Sequence, residues 1–288
     1  MFREDRQPWL SSIRRLANMP GVDPERPSRS LLAGRDLIDG LRCWPLWFIM
    51  GWYDIKQRYR RSTLGPFWLT LSMAVLIGSL GILYARLFKM EIDQYLPFLC
   101  LGLLIWNLIS TMLTEGCAAF IQAERLIKQI RTPLSVHIYR LIWRNLIIFA
   151  HNLIVYLGVA VLFGIWPGAK ALLFIPGLAV VLLNAIWAAL LVAVVCTRFR
   201  DVPQIVSTLV QVAFFLTPVI WMPELLKDQA WIVQWNPFFA FVDLMRAPLL
   251  GQDPEPFSWI AALIVTAIGG TVTFAVFRRF RSRIAYWL

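Results

Sequence analysis

Acids, bases and nucleophiles are few in this sequence, and they are badly spaced for catalysis. No G-x-x-x-x-G-K-S/T loop is present, so the chain lacks the glycine-rich cradle that holds nucleotide phosphates. It has no H-E-x-x-H pair for zinc and no plausible Ser-His-Asp constellation. His137 and His151 have no acidic partner at ligand spacing, which leaves packing or interface roles. Cys43, Cys100, Cys117 and Cys196 form no C-x-x-C pair, and three of them lie in or beside apolar runs. Free buried thiols and no metal site are expected. A membrane transferase would need an acid or base near the bilayer surface, and Asp54, Glu115 and Asp243 are its only, poor candidates. The densest functional groups are instead cations: Arg58, Arg60 and Arg61 stand directly before a Gly-Pro pair and a long apolar run.

That apolar run identifies the elements that must hold such residues. The 288-residue chain is 59% hydrophobic, only 16% charged, and carries a formal charge of +11. Soluble domains average about 45–50% apolar and about 25% charged. The excess here is clustered in runs of roughly 20 residues, the length a helix needs to cross a hydrocarbon layer of about 30 Å. Six spans are expected, at about 64–88, 95–115, 142–164, 170–196, 204–222 and 257–277. In the fifth, Thr217-Pro218 interrupts the helix, and the freed carbonyl requires a partner inside the protein. No cleavable signal peptide is visible in the polar, Arg-rich first sixty residues. Twelve Lys and Arg precede the first span and four more lie between Glu115 and Leu141, whereas the opposite side carries only Lys89, Lys170, Lys227 and Arg246, with Arg86 at a span end. This bias places both termini in the cytoplasm, and it is also the plain topological reading of Arg58, Arg60 and Arg61. Ionisable residues at membrane depth are limited to Glu115, Arg140, Arg144 and His151. Their scarcity argues against ion coupling, so the energy for any transport would come from elsewhere.

Three connecting segments carry further pattern. Before the first span, Trp44, Phe48, Trp52, Ile55 and Tyr59 share one side at helical spacing, while Asp54, Lys56, Gln57, Arg58 and Arg60 take the rest of the circumference. Aromatics on one face with cations at its edge describe a helix lying in the membrane interface. Between spans two and three, Phe120, Ala123, Leu126, Ile127 and Ile130 form a stripe opposite Gln122, Glu124, Arg125, Lys128 and Gln129, and Pro133 ends the helix. This is either an extension of span two with a solvated face or a short helix offering charge to a cytoplasmic partner. Between spans five and six, Asn236 and Pro237 read as the start of a helix that Gly251 terminates. At about 21 Å it is too short to cross, which makes it an interfacial or re-entrant element. On span five, Gln204, Ser207, Thr208, Gln211 and Phe215 recur at three- and four-residue steps. Such a stripe serves either helix packing or a transport path, and Tyr84, Trp106 and Phe215 could offer flat faces to a passing sugar.

The stretches "RYRRSTLGPFWLTLS", "YLPFLCLGLLIWNLIS", "ERLIKQIRTPLS" and "FFLTPVIWMPELL…WNPFFAFVDLMRAPLLG" resemble, in this order and over about residues 40–288, the membrane subunits of polysaccharide ABC exporters. These are the ABC-2 type permeases of lipid-linked O-antigen, teichoic acid and capsule export. The resemblance implies an all-α polytopic fold with six transmembrane helices. It also implies an N-terminal interfacial amphipathic helix and a re-entrant or interfacial helical hairpin between helices 5 and 6. Residues 1–43 would be a cytoplasmic basic arm, 44–61 the interfacial helix and 62–288 the six-span domain, with a coupling loop at 116–141 and an outer gate hairpin at 221–256. A homodimer in the bacterial inner membrane would enclose the channel, and two copies of a separate ATPase subunit would bind ATP and magnesium, leaving no cofactor in this chain and no nucleic-acid role. On that pattern Glu124, Arg125 and Lys128 face the ATPase. Arg58, Arg60 and Arg61 line the entrance near a lipid diphosphate, a group that arginine pairs with well. Tyr84, Trp106, Gln204, Ser207, Gln211 and Phe215 line the path. The resemblance makes the chain a transport subunit rather than an enzyme. The different-class alternative is a polyprenyl-linked glycosyl- or acyltransferase, and a stand-alone channel is disfavoured by the coupling-like loop.

Overall fold

The computed structural model describes residues 28–58, 60, 65, 67–229 and 231–288. Tyr59, Arg61 and the first 27 residues of the arm lie outside them. The regular elements are helices throughout the described residues. Helix α1 (Arg29–Arg42) and α2 (Trp44–Arg58) precede α3 (Phe67–Phe88), α4 (Ile92–Gln122), the six-residue α5 (Glu124–Gln129) and α6 (Ser135–Phe163). A 3-10 turn leads into α7 (Phe174–Arg198), followed by α8 (Val202–Leu216), α9 (Trp231–Gln234), α10 (Pro237–Leu249), α11 (Pro256–Phe280) and α12 (Ile284–Trp287).

Five of these elements are long and apolar enough to cross a membrane, those built around α3, α4, α6, α7 and α11. The chain is a multi-pass membrane protein. Helix α4 is its axis: 72% of its apolar window is buried, against 11% for α3, and it packs on α3, α6, α7, α8 and α10.

The fifth expected span is shorter than its apolar run. Helix α8 has 15 residues, about 22 Å, and stops at Leu216. The cause is local: Pro218 disfavours helical backbone at Thr217 and donates no N–H. The chain then turns inward, and Thr217, Pro218 and Val219 are all buried. Irregular backbone at this depth is stable only when protein groups satisfy it. Tyr95 Oη donates to the Ile220 carbonyl at 2.6 Å, Asn236 Nδ2 to the Leu216 carbonyl at 3.3 Å, and Arg246 Nη1 to the Pro218 carbonyl at 2.8 Å.

Helix α10 starts as its caps dictate, with Asn236 Oδ1 accepting from the Phe238 N–H at 2.9 Å. It packs inside the bundle rather than on its surface, since every residue from Phe239 to Leu249 is buried. Two glycines admit this hairpin. A Cβ on Gly102 would lie 2.7 Å from the Val219 carbonyl oxygen, and one on Gly177 only 2.3 Å from that of Leu244.

The second half of the basic arm is also ordered by contacts the sequence does not advertise. Ser28 caps α1, and the buried Asp36 carboxylate accepts from the Leu134 and Ser135 N–H groups at 3.2 and 3.0 Å. A carboxylate thus caps the start of α6 from a distant helix, where the macrodipole favours negative charge. Arg281 Nε, 2.7 Å from the same carboxylate, ties the end of α11 to this point.

Candidate functional site

The charged groups of the chain meet at one end of the bundle, where α2, α4 and α6 converge. Asp54 and Arg58 are four residues apart on α2, and Arg140 and Arg144 four apart on α6, so each pair occupies one helix face. Helix α4 supplies Glu115 between them. Arg140 holds Asp54 through two bonds, Nε to Oδ2 at 2.7 Å and Nη2 to Oδ1. Arg144 bridges both acids, reaching Asp54 Oδ2 at 3.2 Å and Glu115 Oε2 at 2.7 Å. Asn145 Nδ2 donates to the same Glu115 oxygen at 2.7 Å, and Arg58 Nη2 approaches Oε1 at 3.4 Å. The Asp54 and Arg144 side chains are each only 14% exposed, so this is an internal network. Such a set of charges is stable only while every member keeps its partners.

Glu115 of the network lies about two and a half turns of α4 before the start of α5. A cavity of about 50 Å³, lined by Gln122, Ala123, His137, Arg140 and Arg144, separates the two. Among the described residues neither ring nitrogen of the buried His137 has a partner, and the space is polar and large enough for water. Helix α4 ends where Ala123 breaks its ladder, and α5 leaves as a separate six-residue helix with no buried residue. The expected continuous stripe is therefore split: Phe120 and Ala123 are buried with α4, while Ile130 is 52% exposed. On the outer face of α5, Lys128 Nζ meets Glu124 Oε1 at 2.7 Å. The Lys128 ammonium holds the Glu124 carboxyl below the usual carboxylate range. Arg125 is exposed beside them.

The residues read from sequence as a path divide in two. Gln204, Ser207, Gln211 and Phe215 share an exposed face of α8, and no residue of α8 is buried within the protomer. Trp106, by contrast, is 7% exposed and packs between Phe214 and Phe238, with ring centroids 5.7 and 5.5 Å away. Tyr84 is half-buried and stacks on Phe88 at 5.5 Å. Of the three arginines before α3, Arg60 is exposed, Arg58 is partly committed to Glu115, and Arg61 lies outside the described residues.

At the opposite end Arg246 locks the hairpin. It bonds the Pro218 carbonyl, and its guanidinium lies 3.8 Å from the Phe98 ring centroid. Burial raises the Asp243 carboxyl, which accepts from the Glu255 N–H at 2.9 Å.

Sequence reading placed Asp54 on the side of α2 away from its aromatic face, with no partner assigned, and did not single out Asp36 or Arg246 as ties. The signal for Asp54 is available in retrospect: an acid-first i, i+4 pair on α2 and a doubly basic one on α6.

A profile of the ABC-2 type transporter family matches residues 45–250. Over 221 residues the chain is 26% identical to the O-antigen export system permease protein RfbA of Myxococcus xanthus, covering 75% of this chain and 85% of that protein. Over 238 residues it is 22% identical to the protein of the same name from Klebsiella pneumoniae, covering 81% and 90%. With the family profile spanning most of its length over a helical, multi-pass bundle, this chain belongs to the ABC-2 type transporter family.

Proposed function

We propose that the chain is the membrane permease of an ATP-driven exporter that moves lipid-linked, O-antigen-like polysaccharide across the bacterial inner membrane. The observation that carries this reading is the near full-length similarity to permeases named for O-antigen export. In this reading Glu124, Arg125 and Lys128 engage a separate ATPase, two copies of which bind ATP and magnesium. A push on α5 reaches α4 directly through Ala123. It reaches α2 and α6 through the Asp54–Arg140–Arg144–Glu115 network, so one contact would move three helices together. A lipid diphosphate enters past Arg58, Arg60 and Arg61, because guanidinium groups suit phosphate. The exposed polar face of α8 meets its equivalent in a second copy and lines the path, and the α9–α10 hairpin closes the outer mouth. Both termini are cytoplasmic, as the Lys and Arg distribution favours.

The transferase alternative loses support from the geometry. Asp54 and Glu115 are each held by two arginines, and Asp243 accepts from the Glu255 N–H at the start of α11. The test is reconstitution of the permease with its cognate ATPase in lipid vesicles. ATP-dependent movement of lipid-linked glycan across the bilayer is expected, and the glycan moved would distinguish O-antigen from capsule or teichoic acid. Sugar or acyl transfer by the permease alone, with no ATP-dependent movement, would overturn the reading.

A further inference from the structure

A second basic feature lies away from the network, where α1 crosses the end of α11. An open recess of about 710 Å³ is lined there by Arg29 and Ser30 of α1 and by Ala275, Val276, Arg278, Arg279 and Phe280 of α11, with Arg283 beyond. A smaller adjoining recess shares Val276, Phe280 and Arg283 and adds Arg198 and Trp287. The walls are held together: Arg281 is neutralised by Asp36, and Arg278 Nη1 lies 3.4 Å from Ser30 Oγ. Among the described residues, Arg29, Arg278, Arg279 and Arg283 form no ion pair.

Positive charge at a span end satisfies topology by itself, and cations at a helix C-terminus suit the macrodipole. Neither requires a recess, or a second helix laid across it bringing a fourth arginine. Above the recess α11 presents Ile260, Ile264, Ile268 and Val272 at four-residue steps, exposed by 56, 52, 61 and 47%. The next member of the series is Val276, in the wall of the recess. An apolar stripe of at least three turns therefore leads into a cradle of guanidinium groups.

We propose that this recess binds the phosphate headgroup of an anionic phospholipid, with the acyl chains lying along the α11 stripe. Guanidinium groups pair with phosphate in bidentate fashion, and basic pockets beside spanning helices on the cytoplasmic side are suited to anionic headgroups. The stripe selects a lipid over a soluble phosphate, because a free anion gains nothing from it.

The test uses the full-length protein in neutral detergent, unfolded by heat with phosphatidylglycerol, phosphatidylcholine or inorganic phosphate added. Phosphatidylglycerol should raise the midpoint saturably by about 5 °C, as expected for a ligand well above its dissociation constant. Phosphatidylcholine and phosphate should leave the midpoint almost unchanged. Arg278→Gln/Arg279→Gln/Arg283→Gln should abolish most of the shift. Arg131→Gln/Arg200→Gln, which removes charge elsewhere on the same side, should keep it. Equal shifts in both variants would reduce the effect to general surface attraction, and a phosphate effect as large as that of the lipid would overturn the lipid assignment. If the triple variant does not fold, Arg279→Gln alone, at an exposed position, carries the same comparison with a partial loss.

Discussion

Arg144 is the residue on which the charged network depends, since among the described residues it alone touches both acids. Replacing it with Leu leaves Asp54 with Arg140 and Glu115 with Arg58 and Asn145, but strips each acid of its most buried charged partner. We expect a loss of about 3 kcal/mol, at the lower edge of the range for breaking a buried pair. Thermal unfolding in detergent measures it, and an unchanged midpoint would mean that the charges are screened by water. Arg58, Arg60 and Arg61 pose a different question. A topological role needs only charge, which Lys keeps, whereas phosphate recognition needs the guanidinium fork. The triple Arg→Lys variant should insert normally yet lose substrate-stimulated ATPase activity in the reconstituted complex, by about 1–3 kcal/mol of binding. Because Arg58 is already paired with Glu115 at 3.4 Å, Arg60→Lys should account for more of that loss than Arg58→Lys. The positions of these arginines were legible from sequence; the partner of Arg58 was not, because 57 residues separate it from Glu115.

Two elements invite direct intervention. Helix α5 is exposed, short and internally paired, so the swap Glu124→Lys with Lys128→Glu keeps its i, i+4 bridge while inverting the surface it shows. The helix should lose only a few tenths of a kcal/mol from the reversed orientation. Co-purification with the ATPase should fall sharply while membrane insertion holds, and undiminished recovery of the complex would remove α5 from the interface. The α10 hairpin depends on a close backbone approach. Gly177→Val places a branched side chain against the Leu244 carbonyl, where even a Cβ would be 2.3 Å away. Because backbone rather than a flexible side-chain end must yield, we expect a cost of about 1–3 kcal/mol, seen as a lower unfolding midpoint. The helical signals of α10 were readable in Asn236, Pro237 and Gly251. Its burial was not, because it depends on Gly102 and Gly177 on other helices.

At the scale of the molecule the protomer is lopsided. Helix α4 is enclosed, but α8 and most of α3 face outward, and α8 exposes Ile205, Leu209, Val212 and Leu216 beside the stripe of Gln204, Ser207, Gln211 and Phe215. A polar stripe turned to lipid would be unfavourable, which makes a second copy the natural cover. In a background lacking Cys43, Cys100, Cys117 and Cys196, single cysteines at Gln204, Ser207 and Gln211 should react with a small water-soluble thiol reagent in at least one nucleotide state. Cysteine at Leu209 or Leu216, on the apolar face of α8, should give disulfide-linked dimers under mild oxidation. Protection of the first group in every state, with no cross-linking in the second, would assign the stripe to packing.

The class, the helix count to within one truncated span, the cations at span ends and the short helices between spans are all legible in the residue order. These follow from local quantities: apolar run length, Lys and Arg bias, caps and prolines act within a few residues of where they are read. Only the tertiary structure decided that Asp54 turns inward to Arg140 and Arg144, that Asp36 caps α6, that Arg246 holds the broken end of α8, and that Trp106 is core rather than surface. Periodicity places a side chain on a face of its own helix. It carries no information about which other helix that face will meet, and each of these contacts joins residues 28 to 132 positions apart.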